Sequence, residues 1–302
     1  MTAMRIESIT SAQNPKIRNL LLLQEKSKAR REQGLFVVEG RRELEHCLEG
    51  GFRIRTLFVC PEIAGGVTAE GIVSQISGHP RPDKREGPAG KASGRGRSEA
   101  EAICATIPSA VEPAVCEIPE ALYRKVAYRD STEGIIAEVE YKAQGLEDLQ
   151  IPENPLIVVL ESVEKPGNLG AVLRSADAAG ADAVLIGDPL TDLYNPNLIR
   201  ASIGAVFTVP VVAAPSDRII SWLQERGIQI LTAQLQDSSL YYDVDMRRGT
   251  ALVMGTESTG LTSAWRKAAT AHIRIPMLGR LDSLNVSVSA AILLFEAVRQ
   301  RQ

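Results

Sequence analysis

"LIVVLESVEKPGNLGAVLRSADAAGADAVLIGD", residues 156–188, reads as strand, helix, strand. Its two ends are near-continuous Val/Ile/Leu/Ala runs. Between them Leu169, Val172, Leu173 and Ala176 recur at the spacing of one helix face. A strand that is apolar without alternation is covered on both faces. Such strands alternating with helices build a parallel sheet with helices on either side.

The pattern continues toward the C-terminus. "PNLIRASIG" (196–204) reads as helix, "AVFTVPVV" (205–212) as strand and "SDRIISWLQERG" (216–227) as helix. "IQILTAQL" (228–235) and "TALVMGTE" (250–257) read as strands. A short helix near "SAWRKAAT" (263–270), the strand "HIRIPM" (272–277) and a last helix complete the series. In open α/β sheets ligands bind beyond the carboxyl ends of the strands, so the loops after the strands are where function is expected.

Upstream, "NPKIRNLLLLQEKSKARREQGLFVVEGRRELEHCLEGG" (14–51) reads as helix, strand, helix. Its first helix ends in the basic run Lys26 to Arg31, and its last is stopped by paired glycines. "IRTLFVC", "AVCEI" and "GIIAEVEYK" add strands to a small α/β unit. The polar, proline-punctuated "AQGLEDLQIPENP" (143–155) is the best boundary in the chain. Two domains are therefore expected, at 1–145 and 152–302. Residues 78–100, rich in Gly, Pro, Lys and Arg, hold almost no large apolar side chain, so a mobile insertion is expected there. It reads either as a basic loop touching RNA or as a solvated insertion.

Composition narrows the function classes. The chain has 302 residues, 44% of them hydrophobic, and a net charge of −3. That charge argues against a uniformly basic nucleic-acid binder. The basic character is local: residues 1–56 carry eleven Lys/Arg against seven Asp/Glu, and residues 81–97 carry six against two. Local patches of this kind can hold a phosphate backbone on an acidic protein. No apolar run approaches the roughly 18 residues that span a bilayer, and "MTAMRIESITSAQNPK" lacks a signal peptide's apolar core. No membrane association and a cytoplasmic location are expected. Cys47, Cys60, Cys104 and Cys116 show neither CxxC pairing nor clustered histidines, so neither a disulfide framework nor a metal site is expected.

Three loops carry residues that scaffolding does not need. In "EKPGNLGAVLRSA", Pro166 and Gly167 are expected to form a tight turn with Asn168 at the helix N-cap. Arg174 falls off the apolar stripe. It reads as a surface arginine or as a group facing a ligand or a second chain. In "ALVMGTESTGLT", Gly255 would let a backbone approach a ligand closely, and Glu257 stands at a strand's carboxyl end. In "RIPMLGRLDSLNVSVSAA", Ser283 and Asn285 lead into the last helix. Val286, Ala290, Leu293 and Ala297 form one apolar stripe of that helix, and Val288, Ile292 and Phe295 cover much of the remainder. A helix apolar all round is buried, in the core or against a partner. Its first N–H groups still need acceptors, and Ser283 and Asn285 can cap them or orient groups at a reaction centre.

In this order, "KPGNLGAVLRSADAAG", "VMGTESTGL" and "IPMLGRLDSLNVSVSAA" resemble the three motifs of the SpoU (TrmH-like) family of RNA 2′-O-ribose methyltransferases. "LYNPNLIRASIGAVFTVPV" is similar to the family's linking segment. "SAQNPKIRNLL" and "GLFVVEGRRELE" resemble the L30e-like substrate-binding domain often attached to that catalytic domain. The resemblance implies S-adenosylmethionine as cofactor, a deep trefoil knot in the C-terminal domain, and a homodimer with the last helix at its interface. It places cofactor contacts at Gly255, Ile275, Met277 and Leu284, with Thr232 and Ala233 beside the adenosyl group. It matches Arg174 to a proposed catalytic arginine, and Asn168, Glu257, Ser283 and Asn285 to supporting polar positions.

The chemistry implied is transfer of an activated methyl to a ribose 2′-OH, with 23S-type ribosomal RNA as the expected substrate. That hydroxyl is a poor nucleophile until its proton is withdrawn. Arg174 stays protonated and is no base unaided; binding the adjacent phosphate, it would let the phosphate help take the proton. The alternatives are a tRNA 2′-O-methyltransferase and a non-catalytic RNA-binding protein on the same fold. A nucleotide-dependent oxidoreductase is disfavoured, because no G-x-G-x-x-G follows a strand.

Overall fold

The structure, a computed structural model, describes residues 6–65, 113–128, 133–142, 144–256 and 259–302. The insertion at 78–100, Cys104 and Glu257 lie outside the described residues.

The N-terminal unit runs β1 (Ile6–Ser8), α1 (Pro15–Glu25), α2 (Ser27–Gln33), β2 (Leu35–Glu39), α3 (Arg41–Glu49), β3 (Ile54–Val59), β4 (Ala114–Glu117), α4 (Glu120–Val126) and β5 (Ile135–Glu140). Asn14 caps α1, accepting from the Lys16 N–H at 2.9 Å, and Pro15 follows it at the first helical position, where no N–H is required. The expected single helix breaks at Lys26, whose extended backbone ends α1 and starts α2. The strands order as β1-β4-β3-β5-β2, with β5 antiparallel to both neighbours. α4 is a short helix that a seven-residue stretch does not announce by periodicity.

The C-terminal unit begins with β6 (Leu156–Glu161), α5 (Pro166–Ala178), β7 (Ala183–Gly187), α6 (Pro196–Ser202), α7 (Ala205–Thr208), β8 (Val211–Ala214) and α8 (Ser216–Glu225). It continues with β9 (Gln229–Ala233), β10 (Ser239–Leu240), β11 (Thr250–Met254), α9 (Ser263–Ala268), β12 (Ala271–Arg274) and α10 (Val286–Arg301). The sheet is all parallel, in the order β10-β12-β9-β11-β6-β7-β8. Alternate residues of each strand face opposite sides. Val158, Leu160, Leu252 and Met254 share one apolar cluster with Leu169 and Val172 of α5 and Ala290 and Leu293 of α10. Ile157, Val159, Ala251 and Val253 share another with Trp222 of α8 and Trp265 of α9. Both faces are covered, which is why the strands read as unbroken apolar runs.

One segment departs from its reading. "AVFTVPVV" is not one strand: Ala205–Thr208 is helical and only Val211–Ala214 is strand. Ile203 and Gly204 adopt left-handed backbone and redirect the chain into a new turn, and Pro210 brings no N–H to a ladder. An apolar run this short has no period that separates helix from strand.

The two sheets share a core. The cluster that holds α5 and α10 also takes in Phe36, Leu44 and Leu57 of the N-terminal unit, joined through Val206 and Phe207.

Candidate active site

Because β12, β9, β11 and β6 are adjacent and parallel, the loops that follow them share one edge of the sheet. Three of the four non-glycine residues with left-handed backbone among those described, Ser162, Asp188 and Asp237, lie in loops at the carboxyl ends of β6, β7 and β9. Such conformations cost on the order of 1–3 kcal/mol each and cluster where geometry is held for function.

Two helices begin at this edge. α5 starts at Pro166, which makes Lys165 its N-cap and puts Asn168 in the first turn. The expected Asn168 cap is therefore corrected: with proline at the first helical position the cap is Lys165, three residues earlier. α10 is capped by Asn285, whose Oδ1 accepts from the Ser287 N–H at 3.0 Å and the Ser287 hydroxyl at 2.6 Å. The Asn285 Nδ2 donates to Asn168 Oδ1 at 3.1 Å. Residues 117 positions apart thus join the first turn of α5 to the cap of α10. Neither helix has an acidic residue in its first turn. The far end of α10 is fixed by Arg301, which donates to the carbonyls of Asn154, Pro155, Met246 and Arg248.

The loop after β11 is tied to the same edge. Glu161, at the end of β6 and 2% exposed, accepts from the Thr262 N–H at 2.8 Å and its hydroxyl at 2.7 Å. A Cβ on Gly255 would lie 2.4 Å from the Gly260 backbone, so only glycine lets this loop fold back on itself. That close approach is within the protein, between the two ends of the loop.

Other expected site residues distribute unevenly. Thr232 is fully buried and its Oγ1 lies 2.6 Å from His272 Nδ1, so its side chain is engaged inside the sheet. Ala233, Ile275 and Met277 are half-buried at strand ends, and Ser283 and Leu284 are exposed. Arg174 is exposed on α5, six residues from Asn168 and therefore roughly 9 Å further along the axis. α10 is not buried all round within one chain. Val286, Ala290, Leu293 and Ala297 are buried, but Val288 and Phe295 are 46% and 49% exposed.

Three residues went unread. Glu161 had a visible signal, a lone charge ending an apolar strand. His272 had none, because its pairing with Thr232 follows from register. Gln234, just past β9, has a buried Oε1 with no hydrogen-bond partner among the described residues. A buried acceptor in that position suits a ligand donor.

Comparison with known proteins fits this geometry. Residues 155–295 match the model of the SpoU rRNA Methylase family, and residues 14–79 match an MRM3-like substrate binding domain. The chain is 37% identical over 197 residues to the 23S rRNA (guanosine-2′-O-)-methyltransferase RlmB of Bordetella pertussis, spanning 64% of this chain and 79% of that one. The chain belongs to the SpoU rRNA methylase family.

A second relative is the 23S rRNA (uridine(2479)-2′-O)-methyltransferase of Streptomyces viridochromogenes. It is 34% identical over 190 residues, 61% of this chain and 66% of that protein. Among solved structures, an RNA 2′-O ribose methyltransferase superposes with a TM-score of 0.73 at 37% identity, over 97% of this chain and 99% of the other. An AdoMet-bound rRNA methyltransferase from Sinorhizobium meliloti gives 0.77 at 29% identity, over 97% and 98%. These two matches run across both units, so the N-terminal unit and the SpoU domain occur together in known proteins.

Proposed function

We propose that the protein transfers a methyl group from S-adenosylmethionine to a ribose 2′-OH of large-subunit ribosomal RNA, acting in the cytoplasm. The observation that carries this reading is the Asn285–Asn168 contact, which brings the first and third motif loops together at the sheet's carboxyl edge. The names of the relatives and the family matches over both units support the substrate class.

The residues present suit the cofactor. The loops after β9 and β12 lie at the carboxyl edge of the sheet, with apolar Leu278, Leu281 and Leu284 exposed on the second, and the buried Gln234 Oε1 is an acceptor for an amino donor. S-adenosylmethionine supplies a methyl already activated by its sulfonium. Gly255, Ile275, Met277 and Leu284 would hold it, largely through backbone groups, with Ala233 and the backbone of Thr232 at the adenosyl side. Glu257 and Ser283 complete the polar rim. Asn168 and Asn285, fixed on one another, keep the ribose in line. The N-termini of α5 and α10, with no acidic residue in either first turn, favour the phosphates on either side of it. Arg174 binds the phosphate next to the reacting sugar, and that phosphate assists removal of the 2′-OH proton. Orientation of this kind can supply roughly 7–11 kcal/mol of the barrier.

The functional unit is a homodimer. Val288, Ile292 and Phe295 form an i, i+4, i+7 stripe along α10, and burying each such side chain contributes about 1.5–3 kcal/mol. Within each subunit the chain crosses from β12, past the carboxyl ends of β9 and β11, to pack α10 on α5; that course suits a trefoil knot.

The test is incubation with methyl-labelled S-adenosylmethionine and unmodified ribosomal RNA or tRNA, followed by alkaline hydrolysis. Label in a dinucleotide that resists hydrolysis, from the large ribosomal RNA, is expected. Label confined to tRNA, or none at all, refutes the reading.

A further inference from the structure

Arg30 belongs to the basic run of α2, yet it is only 2% exposed. Its Nε donates to Asp192 Oδ2 at 2.7 Å, and its Nη1 donates to the carbonyls of Leu23 and Gln24 at 2.6 and 3.1 Å. Asp192 belongs to the other unit, in the loop that leaves β7 at the carboxyl edge of the sheet. Its Oδ1 accepts from the Tyr194 N–H at 3.0 Å. One residue earlier, the Thr191 hydroxyl donates to the Glu164 carbonyl in the loop after β6. Pro166, which opens α5, is two residues further on. A short bonded path therefore runs from α2 to the turn that presents Asn168.

The pair sits beside an apolar seam between the two units. Tyr194 stacks on Phe36 with centroids 4.2 Å apart, and Phe52 of the N-terminal unit meets Phe207 edge-on at 5.2 Å. At the end of α3, a Cβ on Gly50 would lie 2.4 Å from the Phe207 carbonyl oxygen, so only glycine permits that approach. A buried ion pair adds little net stability over apolar residues of the same size. It does penalise any shift that would leave one charge buried alone.

We propose that Arg30 and Asp192 are positioning residues for RNA capture: their ion pair fixes the register of the N-terminal unit on the catalytic unit. The exposed Lys26, which caps α2, and Lys28 and Arg31 of α2 then meet an RNA phosphate backbone at a set distance from the reacting centre. This rests on the function proposed above. RNA held by two units in fixed register meets its second contact with orientation already settled, so loss of register weakens capture of the substrate and leaves the chemical step alone.

The decisive variant is Asp192→Asn, which keeps the volume and the acceptor for Tyr194 but removes the charge facing Arg30. Loss of a charge-assisted hydrogen bond is worth about tenfold or more in the equilibrium between docked and undocked units. KM for unmodified ribosomal RNA should rise about tenfold, with kcat and the dissociation constant for S-adenosylmethionine within about twofold of the parent. Asp192→Glu, which restores the carboxylate, should recover most of the loss. Small-angle scattering should show the parent as one rigid body and Asp192→Asn as broader. An unchanged KM with unchanged scattering overturns the proposal, as does a fall in kcat at constant KM. Should the parent methylate no ribosomal RNA, the functional reading fails. Scattering, with filter binding of the same RNA to parent and Asp192→Asn, then decides this one: a broader profile and about tenfold weaker binding support it, and no change overturns it.

Discussion

Replacing Asn285 separates its two roles. Its Oδ1 caps α10 through Ser287, and its Nδ2 holds Asn168. Asn285→Ala removes both. Loss of the cap costs about 1 kcal/mol, and loss of an exposed side-chain hydrogen bond costs about 0.5–1 more. The melting temperature of the methyltransferase unit should fall by roughly 3–8 °C, at about 2–4 °C per kcal/mol for a unit of this size. Asn285→Asp keeps the cap and gains about 0.3–1 kcal/mol from a negative charge at the N-terminus of a 16-residue helix. It cannot donate to Asn168 Oδ1 and sets an anion against it, so its melting temperature should stay within about 2 °C of the parent. Its single-turnover methyl transfer should nevertheless drop by about a hundredfold, because misplacing reacting groups by about 1 Å costs that much. Differential scanning calorimetry and rapid-quench transfer assays on the two variants give the answer. If Asn285→Asp reacts at the parental rate, the contact with Asn168 does not position the reacting groups. If Asn285→Ala melts with the parent, the capping argument is wrong.

Three further outcomes are expected. Arg174→Ala should lose methyl transfer by at least about a hundredfold while isothermal titration shows S-adenosylmethionine affinity within about twofold, since its proposed role is toward RNA phosphate. Phe295→Arg, on the exposed stripe of α10, should turn a dimer into a monomer in light scattering at micromolar concentration; a variant that stays dimeric places the interface elsewhere. Burial pushes the Glu138 carboxyl above its ordinary range, only partly offset by hydrogen bonds from Thr56 and Asn19. The folded protein therefore keeps that proton to higher pH than the unfolded chain, and this group's contribution to stability declines as pH rises above its ordinary value of 4.5. Glu138→Gln should lose this decline and be the more stable protein at pH 7 in urea titrations; a variant less stable at every pH would contradict the sign.

The sequence by itself determined the layered fold of the C-terminal unit. Unbroken apolar strands such as Leu156–Leu160, alternating with one-sided helices, have few other ways to cover both faces. The three ordered motifs determined the family, since "KPGNLGAVLRSADAAG", "VMGTESTGL" and "IPMLGRLDSLNVSVSAA" are local strings. Tertiary structure decided what each side chain does. Asn168 is a first-turn residue gripping Asn285, because Pro166 starts the helix earlier than the pattern suggested. Thr232 is turned onto His272 by strand register. Arg30, one cation in a basic run, is drawn into an ion pair with a residue 162 positions away, and its neighbours Lys28 and Arg31 stay in water. Periodicity reports which face of an element is apolar. It carries no information about which distant residue will stand opposite a polar one, because that is set by how the elements dock.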